Sequence, residues 1–393
     1  MPHILLESHN DISLDNNHDL KSKFTFIATS TYDKKIGVEI ENKEVLLTKV
    51  KKEENDLIKL DISTRLTPVS LMKTALNDYA IVSQSEVLFT NTNSIHNNKI
   101  SPEEAYLKNI NYFVDEFKTD KEIWVEVGFG SGKHLLHQAL ENPDKIIIGL
   151  EIHTPSIEQV LKQAKLQNIT NILVLNYDAR LFLEFLKSNS VGRIFVHFPV
   201  PWDKKPHRRV MSVDFIEESL RVLKIDGTLE LRTDSPNYFE YSSSLLDHFK
   251  DYPNEIHKDK DLGVVSKYEA RWKRQEKNIW DVIIKSTKNS PETVYDGNFG
   301  FPENLDIEEI KNNLSTKAII KDDFLVHFET TYDITFADKS KGLLLKVIMG
   351  SFNRPVAKNI IIQNNKARYF QGNPIITRTN LEAHKIVVES IQN

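Results

Sequence analysis

The sequence predicts an α/β protein with a doubly wound, mostly parallel sheet in its middle and β-rich segments at both ends. In the middle of the 393 residues, apolar stretches recur with helical stretches between them. Towards both ends, shorter stretches alternate apolar and polar residues, as half-buried strands do. We therefore divide the chain into a β-rich N-terminal extension over 1–110, a doubly wound domain over 111–290 and a β-rich C-terminal extension over 291–393.

The two extensions show the patterns of strands. In the N-terminal extension, FTFIATS, KIGVEIENKEVLLTKV and DLIKLDI have the two-residue period of half-buried strands. The polar stretch TNTNSIHNNKISPEEA then predicts a linker. In the C-terminal extension, strand-like stretches such as GLLLKVIMGSF precede NLEAHKIVVESIQ, which predicts a terminal helix. Neither extension carries a motif linked to chemistry, so we interpret both as accessory modules.

The middle domain contains strand-like stretches separated by helical ones such as SIEQVLKQAKLQ. The strand-like stretches are IWVEVGFG, KIIIGLEIH, NILVLNYDA, GRIFVHFP and GTLELRTD. This alternation indicates βαβ units, in which helices cover both faces of a parallel sheet. The carboxyl ends of the strands then share one edge of the sheet, where doubly wound folds bind nucleotides.

Composition limits the chemistry. The chain has 56 acidic and 51 basic side chains, so any affinity for nucleic acid depends on a local basic patch. It has no cysteine, which excludes disulfides, thiolate metal sites and thiol catalysis, and we place no metal site in it. No window of about eighteen apolar residues is free of charge, so we expect a cytoplasmic protein without a membrane segment. The sequence sets no oligomeric state.

Three glycines follow the first middle strand in the stretch WVEVGFGSGKH, out of thirteen in the whole chain. Gly128, Gly130 and Gly132 lie between a strand predicted to end near Val127 and a helix predicted to begin near Lys133. Glycine permits positive φ and lets a ligand approach the backbone closely. The loop therefore predicts a nucleotide site, with Gly128 and Gly130 beside the ligand.

Acidic residues accompany three consecutive strand ends at this edge. Glu126 precedes the glycine loop, Glu151 ends the second strand and Asp178 ends the third. A carboxylate beside the loop suits a ligand with an ammonium group, whereas an anion-binding loop gains nothing from it. Glu151 is placed to bind a ribose diol, and Asp178 to reach an adenine edge. S-adenosylmethionine carries all three groups, so we expect it as the cofactor.

Simpler interpretations exist for each of these residues. Glycines at a turn are often only turn residues, and an acid at a strand end is often only a helix cap. A nicotinamide dinucleotide is the competing ligand, and its fingerprint is G-x-G-x-x-G. The spacing here is G-x-G-x-G with Glu126 beside it, which disfavours an oxidoreductase.

A basic stretch, VHFPVPWDKKPHRR, includes the end of the fourth strand. Two prolines flank Val200 and stiffen the segment, while Phe198 and Trp202 offer flat faces on which a base could stack. Four cations, opposed only by Asp203, make a positive charge that suits phosphates: Lys204, Lys205, Arg208 and Arg209. A second basic run, SKYEARWKRQEKNIWD, lies further along the chain. The competing interpretation is a solvated basic loop beside a core tryptophan.

In order along the chain, EVGFGSG, GLEIH, DA, FPVPWDKKPH, TD and SKYEAR resemble the motifs of the bacterial tRNA (guanine-N7-)-methyltransferases. The resemblance covers about residues 120–285, and the proline-tryptophan-lysine element makes it specific because methyltransferases in general lack it. It implies a class I, Rossmann-like methyltransferase sheet. It also implies methyl transfer from S-adenosylmethionine to N7 of a guanine in the variable loop of tRNA, forming 7-methylguanosine.

The resemblance implies roles for individual residues. Glu126, Glu151 and Asp178 match positions that contact S-adenosylmethionine in the family. Lys204 and Asp234 match positions that contact the tRNA substrate. Four further residues match the family's substrate segment T-x-[FY]-E, with serine in place of threonine: Ser266, Lys267, Tyr268 and Glu269.

One position departs from the family pattern. The aspartate between the two prolines, often assigned as catalytic, is Val200 here. Methylation of guanine N7 uses a free lone pair and removes no proton, so it needs no general base. Alignment of N7 with the methyl group, and nearby negative charge, can supply the rate. We therefore expect an active enzyme and name no catalytic residue. The alternative is a non-catalytic RNA-binding relative that kept the fold.

Overall fold

The structure is a computed structural model that describes residues 2–15, 19–61, 63–64, 69–92, 106–261, 278–293 and 295–392. The chain divides into two compact units: an outer unit, Met1–Lys99 with Tyr295–Asn393, and a central unit, Ile100–Val294. Both β-rich extensions thus contribute to one unit, whereas the sequence alone treats them as separate modules. Among the described helices, none is long and apolar enough to cross a membrane.

The strands and helices of the two units follow one another along the chain in three groups. The first part of the outer unit contains β1 (His3–Glu7), β2 (Ser22–Thr29), β3 (Lys34–Ile40), β4 (Lys43–Lys52), β5 (Asn55–Leu60), α1 (Val69–Ser83) and β6 (Val87–Thr90). The central unit contains β7 (Leu107–Lys108), α2 (Ile110–Asp115), β8 (Ile123–Val127), α3 (Lys133–Glu141), β9 (Ile146–Leu150), α4 (Thr154–Leu166), β10 (Ile172–Leu175), α5 (Ala179–Phe185), β11 (Val191–His197), α6 (Val213–Val222), β12 (Leu223–Thr233), α7 (Pro236–Leu245), β13 (Asn254–Lys258) and β14 (Trp280–Lys285). The second part of the outer unit contains α8 (Ile307–Asn313), β15 (Ile319–Lys321), β16 (Phe324–Phe336), β17 (Lys341–Ser351), β18 (Val356–Gln363), β19 (Lys366–Phe370) and α9 (Arg378–Gln392).

The central unit is built on an eight-stranded sheet, counted within the described residues, in the order β13-β14-β12-β11-β8-β9-β10-β7. The strands from β12 to β7 in this order pair in parallel, and β14 and β13 are antiparallel at one side. The chain proceeds from β8 towards β10 on one side and from β11 towards β12 on the other. The order therefore reverses between β8 and β11, the position at which open α/β sheets bind ligands.

Burial on both faces explains the apolar strands of this sheet. Every residue of β8 is buried. Val125 belongs to a core with α5, α6 and α7 on one face, and Trp124 belongs to a core with α3 and α4 on the other. Helices on both faces of a largely parallel sheet confirm the doubly wound α/β fold predicted for the middle of the chain.

The outer unit forms one 11-stranded antiparallel sheet among its described residues. β2 to β5 form a meander followed by α1, and β16 to β19 form a second meander followed by α9. The first strands of the two meanders, β2 and β16, pair antiparallel with Ala28 opposite Ile334. The unit therefore repeats one arrangement, a four-stranded meander and a helix, although the sequence shows no repeat of fixed period.

Each meander has an apolar face that packs on its own helix. One apolar cluster joins β2–β5 with α1, and another joins β16–β19 with α9. On the opposite face, the rings of Phe26 and Phe370 lie 5.7 Å apart between centroids, although three strands separate β2 from β19 in the sheet. Arg368 of β19 also pairs with Glu44 of β4 at 2.6 Å. Phe26 and Phe370 belong to one apolar cluster on this opposite face. The sheet therefore curls around that cluster.

Candidate active site

The glycine loop connects β8 to α3. The strand ends at Val127 and the helix begins at Lys133, as predicted from the sequence. Gly128, Gly130 and Gly132 have φ values of +66°, +52° and +68°, which other residues rarely adopt. A Cβ on Gly132 would collide with Val160 of α4, whereas a Cβ on Gly128 would meet no described atom within 4 Å. The loop is thus packed tightly at its end and has open space at its start.

Glu151 follows β9 and lies directly against the glycine loop. Its Oε2 accepts a hydrogen bond from Gly130 N–H at 3.0 Å, and its Oε1 accepts from the N–H groups of Ile152 and His153 at 2.8 and 3.0 Å. These donors are all backbone amides, and no lysine or arginine among the described residues pairs with this carboxylate. Glu151 therefore presents a half-buried negative charge that no cation in the described part of the chain compensates.

Glu126 lies on β8 and is only 2% exposed. Its Oε2 accepts a hydrogen bond from Nδ1 of His134, the second residue of α3, at 2.8 Å. The His134 ring lies 4.2 Å between centroids from the ring of His197, the last residue of β11. Burial lowers the pKa of His197 well below its usual range, and the positive charge of Arg232 acts in the same direction, so His197 is neutral.

Neither histidine was predicted from the sequence as a site residue. Neither belongs to a motif, and a histidine on an apolar face is more often a satisfied core residue than a functional one. The signal available was their position, since His134 directly follows the glycine loop and His197 ends the strand that precedes the basic segment.

Asp178 acts as the cap of α5. Its Oδ1 accepts a hydrogen bond from Arg180 N–H at 3.0 Å, and the Arg180 guanidinium donates to Oδ1 and Oδ2 at 3.0 and 2.7 Å. The hydrogen bond to Asp178 raises the pKa of Arg180. The helix-cap interpretation thus describes one role of Asp178, and its charge, unlike that of Glu151, is compensated by a cation.

The segment after β11 turns at two aromatic residues. Phe198 and Trp202 have φ values of +50° and +48°, in the left-handed region that bulky residues rarely occupy. Phe198 N–H donates to the carbonyl of Arg232 at 2.7 Å and so ties the segment to β12. Between the two aromatic residues, Val200 is 61% exposed. Position 200 is therefore open to solvent rather than part of an apolar core.

Arg209 anchors the basic segment. Its Nε donates to the carbonyl of Pro201 at 2.8 Å, and its Nη2 pairs with Asp203 at 3.3 Å. The guanidinium also lies 4.5 Å from the ring centre of Tyr241 on α7. These contacts identify Arg209 as a structural cation that holds the segment against the unit.

The other cations of the basic segment face solvent. Lys204, Lys205 and Arg208 are exposed, and none of them forms an ion pair within the part of the chain that the structure describes. The Arg208 guanidinium lies 5.1 Å from the ring centre of Trp202, which is itself 37% exposed. Exposed cations beside an exposed aromatic ring can bind a nucleic-acid backbone and a base together.

A buried ion pair lies beside this segment. Arg232 on β12 is 1% exposed, and its Nη1 donates to both oxygens of Asp281 on β14 at 2.7 and 2.8 Å. Its Nη2 donates to the carbonyl of Lys260 at 2.7 Å. Burial raises the pKa of Asp281, and Arg232 opposes this rise.

Asp234, a predicted substrate contact, is half-buried just before Ser235, the cap of α7.

The structure brings most of the predicted site residues to one edge. The glycine loop, Glu151, Asp178, the basic segment and Asp234 all follow carboxyl ends of parallel strands, and these ends share one edge of the sheet. The second basic run lies largely outside the described residues, as do the four predicted residues of the substrate segment: Ser266, Lys267, Tyr268 and Glu269.

Comparison with known proteins gives the class of protein to which the chain belongs. A family model described as "Putative methyltransferase" matches residues 120–282, the stretch that contains the glycine loop and the basic segment. Among solved structures, the 16S rRNA methyltransferase KamB is 15% identical and covers 43% of this chain and 89% of its own, with a TM-score of 0.35, a likeness too low to bear on function. The parallel sheet, the loop and the family match define the protein as a methyltransferase.

Full-length relatives narrow the class to a family. A protein of Wolinella succinogenes named tRNA (guanine-N(7)-)-methyltransferase is 39% identical over 99% of each chain. A protein of Helicobacter hepaticus with the same name is 37% identical, again over 99% of each chain. The chain belongs to the tRNA (guanine-N(7)-)-methyltransferase family, which confirms the resemblance seen in the sequence. Because the likeness spans nearly the whole of each chain, it includes the outer unit.

Proposed function

We propose that the protein transfers the methyl group of S-adenosylmethionine to N7 of a guanine in the variable loop of tRNA, forming 7-methylguanosine. One observation carries the proposal: a glycine loop with an uncompensated carboxylate lies at the same sheet edge as an exposed basic segment. The first feature suits a nucleoside, and the second suits RNA phosphates. The names of the full-length relatives support the same assignment.

The residues around the glycine loop fit S-adenosylmethionine. The space beside Gly128 is open, so a ligand can approach the backbone there. We assign Glu151 to the ribose diol, Asp178 to the adenine edge and Glu126 to the ammonium group, with Gly128 and Gly130 beside the ligand. Glu151 can bind a ribose hydroxyl group while keeping its three backbone partners, because a carboxylate has about four acceptor sites and one on Oε2 stays open.

The reaction requires alignment more than acid–base chemistry. When bound, S-adenosylmethionine supplies a methyl group activated by a positively charged sulfur. Guanine N7 uses its own lone pair, so no residue of the protein has to remove a proton. The stiff bracket of Pro199 and Pro201 and the Trp202 ring can position the guanine, and carboxylates at this edge can stabilise the positive charge that forms on it.

The exposed cations provide the RNA contacts of the proposal. We assign Lys204 and Asp234 to the tRNA substrate, together with the segment 266–269. Lys205 and Arg208 extend the positive surface beside Lys204, and phosphate contacts of this kind position an RNA without reading its sequence. All of these residues lie within 111–290, which we propose as the methyltransferase domain, with 1–110 and 291–393 as its extensions. The sheet of this domain continues slightly beyond the proposed bounds, because β7 (Leu107–Lys108) pairs with β10.

Methylation of defined transcripts tests the proposal. The purified protein is incubated with methyl-labelled S-adenosylmethionine and an unmodified tRNA transcript, and the nucleosides are separated after digestion. We expect label in 7-methylguanosine, and none when 7-deazaguanine, which has carbon in place of N7, replaces the variable-loop guanine. Label in another nucleoside would assign a different reaction. Binding of tRNA without any label would identify a non-catalytic RNA-binding relative.

A further inference from the structure

His134 follows the glycine loop and forms a hydrogen bond with a buried carboxylate. It is the second residue of α3, and it is 7% exposed. Its Nδ1–H donates to Oε2 of Glu126 at 2.8 Å, and Glu126 is 2% exposed on β8. A charge-assisted hydrogen bond in such a buried position is strong, because water does not compete for either partner.

The surroundings of His134 fix its ring. Nε2 accepts a hydrogen bond from the side-chain amide of Gln138 at 3.1 Å, which leaves Nδ1–H as the donor towards Glu126. The rings of His197 and Phe195 lie 4.2 and 4.8 Å from it between centroids. The imidazole is therefore held from several sides with Nδ1 directed at the carboxylate.

The two oxygens of Glu126 differ in their partners. Oε2 is held by His134, whereas Oε1 accepts no hydrogen bond from any described residue. A carboxylate with one oxygen fixed cannot rotate freely, so the other oxygen keeps one position. A fixed acceptor binds a cationic donor better than a mobile one, because no side-chain entropy is lost when the ligand arrives.

We propose that His134 is a positioning residue that fixes the Glu126 carboxylate for the ammonium group of S-adenosylmethionine. This inference rests on the proposed function, in which Glu126 binds the amino-acid tail of that cofactor. His134 acts only through Glu126, so its contribution belongs to the tail and not to the nucleoside. Ligands with and without the tail therefore separate this role from a general role in the fold.

Two ligands and two replacements test the inference by calorimetry. S-adenosylhomocysteine carries the ammonium group, and 5′-methylthioadenosine has the same nucleoside and sulfur without the amino-acid tail. His134→Ala should weaken S-adenosylhomocysteine binding at least about tenfold and leave 5′-methylthioadenosine binding within about twofold. His134→Asn should restore most of the loss, because the asparagine amide nitrogen takes the place of Nδ1. His137→Ala, a half-buried histidine on the same helix, is the matched control and should change neither affinity.

The outcomes separate the inference from the proposed function. Equal losses for both ligands, or no loss for either, would overturn the role of His134 and leave it as a packing residue. If wild type binds neither ligand, the proposed function fails and the inference with it. If His134→Ala does not fold, the pair His134→Asn and His134→Gln decides, because glutamine puts its amide where Nε2 lies. Weaker binding of S-adenosylhomocysteine, but not of 5′-methylthioadenosine, by His134→Gln than by His134→Asn supports the inference. Equal binding by the two variants overturns it.

Discussion

Two carboxylates beside the glycine loop of the central unit have different partners from a buried carboxylate of the outer unit. In the outer unit, Asp61 pairs with Lys35 at 2.7 Å, and both side chains are nearly inaccessible. In the central unit, Glu151 accepts only backbone amides and Glu126 accepts from a histidine, and neither has a lysine or arginine partner among the described residues. A permanent cation makes a carboxylate part of the fold, whereas a carboxylate without one retains charge for a ligand.

The central unit also contains carboxylates whose charge is compensated by an arginine, and these refine the comparison between the two units. Asp178 pairs with Arg180, and Asp281 pairs with Arg232, both close to the carboxyl edge. Position at this edge is therefore not enough to mark a binding carboxylate. We accordingly rank Glu151 above Asp178 as a determinant of ligand affinity.

Replacing Lys35 with Met should produce the largest effect. Asp61 would stay buried without its cation, so we expect the outer unit to lose about 3–5 kcal/mol of unfolding free energy. The matched control is Lys34→Met, whose partner Asp11 is 42% exposed, and it should cost less than about 1 kcal/mol. Denaturant unfolding measures both variants. Equal losses would show that burial does not distinguish the two pairs.

Acid should weaken the same buried cluster. Burial alone would raise the pKa of Asp61, but Lys35 and hydrogen bonds from Ser63 lower it to about 2. Because this folded value lies below the ordinary one of about 3.9, the stabilisation is complete above about pH 4 and is lost as the pH falls through about 2. The full loss of unfolding free energy is about 2–3 kcal/mol, because each unit of pKa difference between the folded and unfolded states corresponds to about 1.4 kcal/mol.

Asp61→Asn tests the acid prediction. The variant has no carboxyl group to titrate, so its unfolding free energy should fall less than that of wild type between about pH 5 and pH 3. Denaturant unfolding at the two pH values measures the difference. The same fall in both proteins would assign the acid sensitivity to other groups.

Glu151→Ala should weaken S-adenosylhomocysteine binding by about 1.5–3 kcal/mol for each charge-assisted hydrogen bond lost to the ribose. Asp178→Asn should cost less, because Arg180 already compensates that charge and the asparagine keeps the cap. Calorimetric titration of the two variants compares them directly. Unchanged affinity in Glu151→Ala would remove this residue from the site, and a larger loss in Asp178→Asn would reverse the ranking.

Lys204→Ala should have a smaller effect, confined to RNA. We expect weaker tRNA binding and a salt dependence that is flatter by about one phosphate contact, with S-adenosylhomocysteine affinity unchanged. Lys187→Ala is the control, because Lys187 is exposed before β11 and so lies towards the opposite edge of the sheet. A salt slope that stays the same in Lys204→Ala would make the basic segment a solvated loop.

Local signals in the sequence predicted much of the central unit. An apolar stretch followed by three glycines predicts the end of β8, and the helical period after the glycines predicts the start of α3. These signals all lie within about twenty residues of one another. The capping role of Asp178 was also foreseeable as one of two interpretations. These features depend on neighbours in the chain, so the sequence shows them directly.

The features that the sequence did not reveal depend on distant pairing. The two meanders share a sheet because β2 pairs with β16, strands that lie far apart in the chain. Arg232 meets Asp281 only through the register of β12 and β14. His134 meets Glu126 because the loop folds α3 back over the sheet. None of these contacts leaves a periodic or motif signal.

The most direct test of the proposed mechanism is single-turnover methylation by wild type and Val200→Asp on the same tRNA transcript. Wild type should form 7-methylguanosine, because N7 needs no deprotonation and the two prolines and Trp202 supply alignment. Val200 is 61% exposed, so an aspartate there would be solvated and should raise the rate by less than about tenfold, with Val200→Asn as the uncharged control. Absence of 7-methylguanosine with wild type, together with its appearance with Val200→Asp, would contradict the claim that alignment is sufficient.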